Sequence, residues 1–412
     1  MKRRVVITGL GVIAPNGIGK EAFWDALVNG RSGIGRITRF DASTYPSQIA
    51  GEVNGFDPTD YMSPKTAKRI DRFSQFGVAA VSMAVEDARL KIEEEDPDRI
   101  GVIVGSSVGG MPDAETQHTI FMEKGLRRVS PLLGTRLFPG SISNLIAIEL
   151  GVHGFGATIS SGCATGVDAI GYAFEAISMG KADLIITGAA ETPLAPLTFG
   201  SLCLTGVMST KNDTPIKVPC PFDKKRDGIV LGEGAGIVIL EELEHALARE
   251  RTIYAEVLGY GTTYDGYHIT QPMPTGEHAS KAIKLALKEA DLRPEDIDYI
   301  NAHGCGTPLS DQIETLAIKK VFGDHAYKLS VSSIEPMIGH PFGAAAAIEI
   351  IACALVLKNQ ILPPTINYED PDPECDLDYI PNKAREGNVR VLISNSLSFG
   401  GKNSVLVLKQ VN

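Results

Sequence analysis

Cys163 lies in the run Thr158-Ile-Ser-Ser-Gly-Cys-Ala-Thr-Gly166, where a short β-type segment breaks at Gly162 and a helical pattern begins near Val167. A thiol at a helix N-terminus faces unpaired N–H groups and the positive end of the helix dipole, which favour the nucleophilic thiolate. Two histidines sit in similarly punctuated loops, His303 in Asn301-Ala-His-Gly-Cys-Gly-Thr307 and His340 in Met337-Ile-Gly-His-Pro-Phe-Gly343. All three residues follow an apolar or β-branched run and precede a helical or glycine-rich stretch. Strand-to-helix corners are where α/β folds place chemistry. One thiol and two imidazoles at such corners predict thioester chemistry on Cys163.

The elements that must position them alternate along the chain. Strands are expected at 4–9, 100–106, 157–160, 184–188 and 236–241, with helices at 20–29, 71–88, 142–150 and 167–179. The rhythm then repeats: strands at 254–261, 298–301, 329–332, 389–395 and 404–408, helices at 277–290, 311–321 and 343–358. Strand-turn-helix units surround Cys163 in the first half and His340 in the second. An internal duplication is therefore expected, with halves 1–250 and 251–412 and the two residues at pseudo-equivalent helix N-termini facing one cleft.

The chain has 412 residues and a net charge of −11, which argues against a general nucleic-acid or anionic-membrane binder. The N-terminal run lacks an uninterrupted apolar signal segment, and 344–357 is too short and is interrupted by Glu349, so neither secretion nor a membrane span is expected. Six cysteines at 163, 203, 220, 305, 353 and 375 form no C-x-x-C pair, so no zinc site is expected and a reducing cytoplasm fits. The runs at Gly9-Leu-Gly11 and Gly105-Ser-Ser-Val-Gly-Gly110 lack the features of phosphate loops.

The ordered motifs resemble the β-ketoacyl-acyl carrier protein synthases of the thiolase superfamily across essentially the whole chain. They are Val5 to Val12, Ser161-Gly-Cys-Ala-Thr-Gly166, Pro221 to Gly228 with Gly232-Glu-Gly-Ala-Gly236, Asn301-Ala-His-Gly304, Gly339-His340 and Asn395 to Gly401. Within that family, 162–172, 192–198 and 371–379 are similar to ketosynthase subunits of type II polyketide synthases, with the KAS II enzymes of fatty-acid synthesis the alternative.

The resemblance implies a duplicated thiolase-like α/β fold in five layers, α-β-α-β-α, and a dimer, either of this chain or with a chain-length-factor-like paralogue. It implies that Cys163 takes an acyl chain from acyl carrier protein and that malonyl-carrier protein then loses CO₂. His303 and His340, as neutral N–H donors, would hold the developing enolate. The backbone N–H groups of Cys163 and Phe399 would form the oxyanion hole, with Phe399 also a gate. No cofactor is implied. Thr270 and Thr307, with Cys305 beside them, match pantetheine-binding positions, and Lys65, Lys68, Arg69, Arg127 and Arg128 could face an acidic carrier protein.

Several residues depart from the family. Glu335 stands where most condensing relatives have lysine, and that lysine's carboxylate partners match Glu314 and Glu349. Three buried carboxylates without a cation cannot all ionise comfortably. Glu335 could turn to Lys402, itself a departure from threonine; a partner or metal ion could supply the charge; or condensation could be altered. Gly162 replaces a common alanine, Cys305 a common threonine, and Val108, Leu133, Thr198 and Leu202 also differ from the fatty-acid enzymes. A non-catalytic partner subunit and a non-condensing acyltransferase or thioesterase are the rival readings.

Overall fold

The structure is a computed structural model and describes residues 2–411. Five strands of the first half, β1 (Val5–Ala14), β2 (Ile100–Gly105), β3 (Gly156–Ala157), β4 (Leu184–Glu191) and β5 (Gly234–Glu242), lie in the order β1-β5-β4-β2-β3. Five from the second, β6 (Ala255–Tyr264), β7 (Tyr299–Asn301), β8 (Ser330–Ser332), β9 (Val391–Ser398) and β10 (Lys402–Lys409), lie in the order β6-β10-β9-β7-β8. Each set has two antiparallel pairings followed by two parallel ones, so order and sense repeat. The sets join where Val5, Val6 and Ile7 pair antiparallel with Val257, Glu256 and Ala255.

The strand period of two sorts side chains to opposite faces. Val238 and Leu240 of β5, with Leu406 and Leu408 of β10, enter one central core. That core also holds helices α3 (Thr165–Ser178) and α6 (Gly343–Asn359). The alternating Ile237 and Ile239 face an outer layer with α1 (Arg72–Asp87) and α2 (Ser141–Leu150). Val405 and Val407 face the other, with α4 (Glu277–Glu289) and α5 (Pro308–Phe322). The resulting layers are α-β-α-β-α, as the resemblance implied.

The central pair explains how residues 177 positions apart come together. A Cβ on Gly166 of α3 would sit 2.4 Å from the Ala347 nitrogen of α6, and one on Gly343 would sit 2.6 Å from Thr165 Cβ. Absent side chains let the two N-terminal turns touch, and the residues just before them share one cleft. Gly11 has an equally structural use: a Cβ there would strike the Ala80 carbonyl oxygen of α1 at 1.8 Å.

The strand expected at 157–160 shrinks to Gly156–Ala157, because the chain turns early toward Cys163 and continues the pairing only through Ser106 N–H to the Ile159 carbonyl, 3.1 Å. Helices at Met111–Lys124 and Pro196–Leu204 were not foreseen. Among the described residues, no helix is long and apolar enough to cross a membrane.

Candidate active site

The turn before α3 is pinned from several directions. The Gly162 carbonyl accepts from Ser107 Oγ and Thr165 Oγ1, each at 2.7 Å, and Thr165 Oγ1 accepts from Ser161 N–H at 2.9 Å. Cys163 is buried, and its own N–H donates to Ser398 Oγ at 2.9 Å. Gly162 has φ +63°, and a Cβ there would lie 2.2 Å from that same Ser398 oxygen. A glycine at 162 thus leaves room for Ser398, a residue that sequence reasoning passed over as part of a glycine-rich loop.

Cys163 and His340 meet directly: His340 Nε2 is 3.0 Å from Cys163 Sγ. His340 Nδ1 is 2.8 Å from Glu335 Oε1. The His303 and His340 rings meet edge-on with centroids 5.4 Å apart. Glu314 holds the His303 loop, accepting from the backbone N–H of His303 and of Gly304 at 2.9 Å and from Asn395 Nδ2 at 3.1 Å. Phe342, also unforeseen, packs on His340 with centroids 6.0 Å apart.

The two histidines differ in electrostatics. Burial, and then the charge on His340, push His303 down to about 3, so it is neutral. Burial also opposes charge on His340, but Glu335 and then Cys163 outweigh it and hold the imidazolium well above the usual histidine range. For Cys163, burial disfavours the thiolate, yet the charge and hydrogen bond of His340 and the hydroxyl of Ser398 bring it below the ordinary thiol range. In place of the two neutral imidazoles expected, burial favours the neutral form of His303 while Glu335 and Cys163 favour the charged form of His340. His340 is a member of a charged Cys163–His340–Glu335 relay.

Glu335 does not turn to Lys402. Lys402 Nζ is instead 3.4 Å from Asp168 Oδ2 and 4.7 Å from the Tyr264 ring centroid. Asp168 also accepts from Ser161, Tyr260 and Ser404 hydroxyls, so the lysine neutralises an already committed carboxylate. Glu335 Oε2 and both oxygens of Glu349 are buried without a hydrogen-bond partner. Donor atoms of His303, Glu335 and Glu349 lie within 4.8 Å of one another, a set that could hold the cation raised above as one source of compensating charge. Burial and then the neighbouring Glu335 push the Glu349 carboxyl well above its usual range, which favours a neutral acid there.

A cavity of about 400 Å³ leads to these groups and is lined by Cys163, His303, His340, Phe342, Ser398 and Phe399. Thr270, Cys305 and Thr307 also line it. Thr307 also caps α5, its Oγ1 accepting from Ser310 N–H at 3.3 Å, and Cys305 Sγ is 3.7 Å away. Phe399 and Leu309 are exposed where the cavity reaches the surface. Lys65, Lys68, Arg69, Arg127 and Arg128 are all exposed. Arg136, unforeseen, ties down the Lys68 and Arg69 carbonyls at 2.6 and 2.7 Å.

Known proteins give the arrangement a family. Residues 2–246 match the beta-ketoacyl synthase N-terminal domain, and 254–369 match the C-terminal domain. The 3-oxoacyl-[acyl-carrier-protein] synthase 2 of Synechocystis sp. is 47% identical over 99% of this chain and 98% of its own length. The enzyme of the same name from Coxiella burnetii is 46% identical over 100% and 99%. Among solved structures, the ishigamide ketosynthase/chain length factor superposes with TM-score 0.94 at 37% identity, and a type II PKS ketosynthase from the AntDE:AntF complex with TM-score 0.91 at 36%; both alignments cover 100% of each chain. The chain belongs to the beta-ketoacyl synthase family, whose members are condensing acyltransferases.

Proposed function

We propose that this protein elongates acyl chains as a 3-oxoacyl-acyl carrier protein synthase of the KAS II type. The carrying observation is the contact of Cys163 Sγ with His340 Nε2 at 3.0 Å at the inner end of a cavity shared with His303. The sequence reading favoured polyketide synthesis; the names of the relatives at 46–47% identity shift the preference to synthase 2. The polyketide reading stays second, supported by the two ketosynthase structures at 36–37% identity.

His340 assists attack of Cys163 on the carrier thioester, leaving the acyl group on sulfur and releasing the pantetheine thiol. Malonyl-carrier protein then enters, with Thr270 and Thr307 along its arm. As CO₂ leaves, charge moves onto the malonyl thioester oxygen, and a neutral His303 N–H and the His340 Nε2–H of the imidazolium stabilise it. The carbanion attacks the acyl carbonyl. That carbonyl's oxyanion takes the N–H groups of Phe399 and Cys163, the latter by displacing Ser398 Oγ. Lys65, Lys68, Arg69, Arg127 and Arg128 form the reading's carrier-protein surface, and the duplicated halves 1–250 and 251–412 supply the two catalytic corners.

A second subunit belongs to this reading. β3 ends the sheet with one edge open, and Phe121, Met122 and Phe138 are exposed apolar residues. A second copy fits the synthase reading and a paralogue fits the polyketide one. Acyl- and malonyl-carrier protein, given with and without a candidate paralogue, test it by mass spectrometry of Cys163, CO₂ and product. A β-ketoacyl product without the paralogue supports elongation by this chain. No acyl adduct on Cys163 defeats both readings.

A further inference from the structure

We infer that the Cys163–His340–Glu335 relay also discharges its acyl group to water, giving the protein an acyl-thioester hydrolase activity beside condensation. The inference rests on the acyl-Cys163 intermediate of the proposed function.

The relay is built as a thiol-imidazole-carboxylate chain, 3.0 Å and 2.8 Å in its two links. Glu335 is fully buried, its N–H held by Ser333 Oγ at 3.2 Å, and its carbonyl accepts from Gly339 N–H at 2.8 Å, so the turn carrying both relay members is closed on itself. While the acyl group sits on sulfur the thiolate that faces the imidazolium is gone, and the carboxylate on Nδ1 holds the proton on that nitrogen, so Nε2, the nitrogen 3.0 Å from Sγ, is the one left to exchange a proton with water. The condensation nucleophile has no use for such a base, because it arrives as a carbanion once CO₂ has left. A base beside the acyl-sulfur bond serves a nucleophile that brings a proton, and water can reach it through the cavity opening at Phe399 and Leu309.

The step balances without a further reactant. Once the acyl group is on sulfur, a water O–H bond breaks, its proton goes to His340 Nε2, and its oxygen bonds to the acyl carbon. The carbon-sulfur bond of the tetrahedral intermediate then breaks, and the His340 proton passes to Cys163 Sγ. A free carboxylic acid leaves, and the thiol is restored. Glu335 touches no reacting atom; it is a positioning residue acting through His340.

The test loads full-length protein from hexadecanoyl-carrier protein, removes the carrier, and follows the acyl-enzyme by intact mass in ¹⁸O-water without malonyl-carrier protein. Wild-type enzyme should lose the adduct and release acid bearing one new ¹⁸O. E335Q and E335K should keep the adduct at least about tenfold longer, and E335D should recover part of the rate. Hydroxylamine, which needs little base assistance, should strip the adduct from wild type and E335Q at similar rates, separating lost proton transfer from lost access or folding. An adduct that forms on wild type yet persists as long as on E335Q overturns the hydrolase alone. Failure of any adduct to form overturns both it and the condensing reading.

Discussion

Glu335 Oε1 lies 2.8 Å from His340 Nδ1, and this contact places a carboxylate where the family resemblance led to the expectation of a lysine. The reversal does not simply delete a charge. It sets an imidazolium, held by Glu335, in direct contact with the Cys163 sulfur.

E335Q should therefore raise the apparent pKa of Cys163. Removing a nearby carboxylate would by itself ease ionisation of the thiol, since Glu335 pushes Cys163 up. The charge and hydrogen bond of His340 act more strongly in the opposite direction, and His340 owes much of its charge to Glu335. Net loss of imidazolium should make iodoacetamide alkylation at pH 6 about tenfold slower, equivalent to about one pKa unit. The pH–rate profile of alkylation, followed by peptide mass, measures it; an unmoved profile would show that the contact does not control the thiol.

Gly162 and Ser398 should prove energetically coupled. G162A places a Cβ 2.2 Å from Ser398 Oγ in a turn at φ +63°, and the conformational part alone costs about 1–2 kcal/mol. S398G removes the collision but not the φ penalty. G162A should unfold at lower urea and acylate slowly, and the double variant should regain about 1 kcal/mol or more over additivity. Additive effects would mean that the Ser398 loop moves aside freely.

The legible and illegible parts of this site divide by physical cause. Cys163, His303 and His340 stood out because glycines and β-branched runs punctuate local strand-to-helix corners; the repeated rhythm pointed to a duplication, and the five layers came from the family resemblance. The Glu335–His340 contact was hidden because whether a buried carboxylate turns toward a lysine or an imidazole depends on packing, and here Lys402 is paired with Asp168. Ser398 was hidden for a similar reason: its significance comes from a missing Cβ 236 positions earlier. Helix Met111–Lys124 escaped because Met111, Phe121 and Met122 are exposed, leaving little inward apolar stripe to recognise.

Lys402 should matter for stability more than for chemistry. It and Asp168 are both buried, and removing one member of such a pair commonly costs about 3–5 kcal/mol. Three hydroxyl donors remain on Asp168, so K402M should fall at the low end of that range, and adding D168N should recover part of the loss. Urea midpoints read both effects. A stable K402M enzyme with altered Cys163 alkylation would instead tie the lysine to the nucleophile.

Glu349 gives the fold a pH dependence of its own. Its carboxyl is fully buried, has no hydrogen-bond partner on either oxygen, and is pushed well above the usual range by burial and by Glu335. In the unfolded chain it loses its proton near its ordinary pKa of about 4.3. Between that value and the raised native one, the folded state binds the extra proton, so stability falls as pH rises. E349Q keeps the shape and removes the titration. It should be close to wild type at pH 4 and gain about 1–3 kcal/mol relative to it by pH 8, the range for one poorly solvated polar group. Thermal or urea unfolding of both proteins across that span measures the difference. If the two curves run parallel from pH 4 to pH 8, the Glu349 charge is already compensated in the native site, and a cation bound between Glu335, Glu349 and His303 becomes the explanation to test by metal analysis.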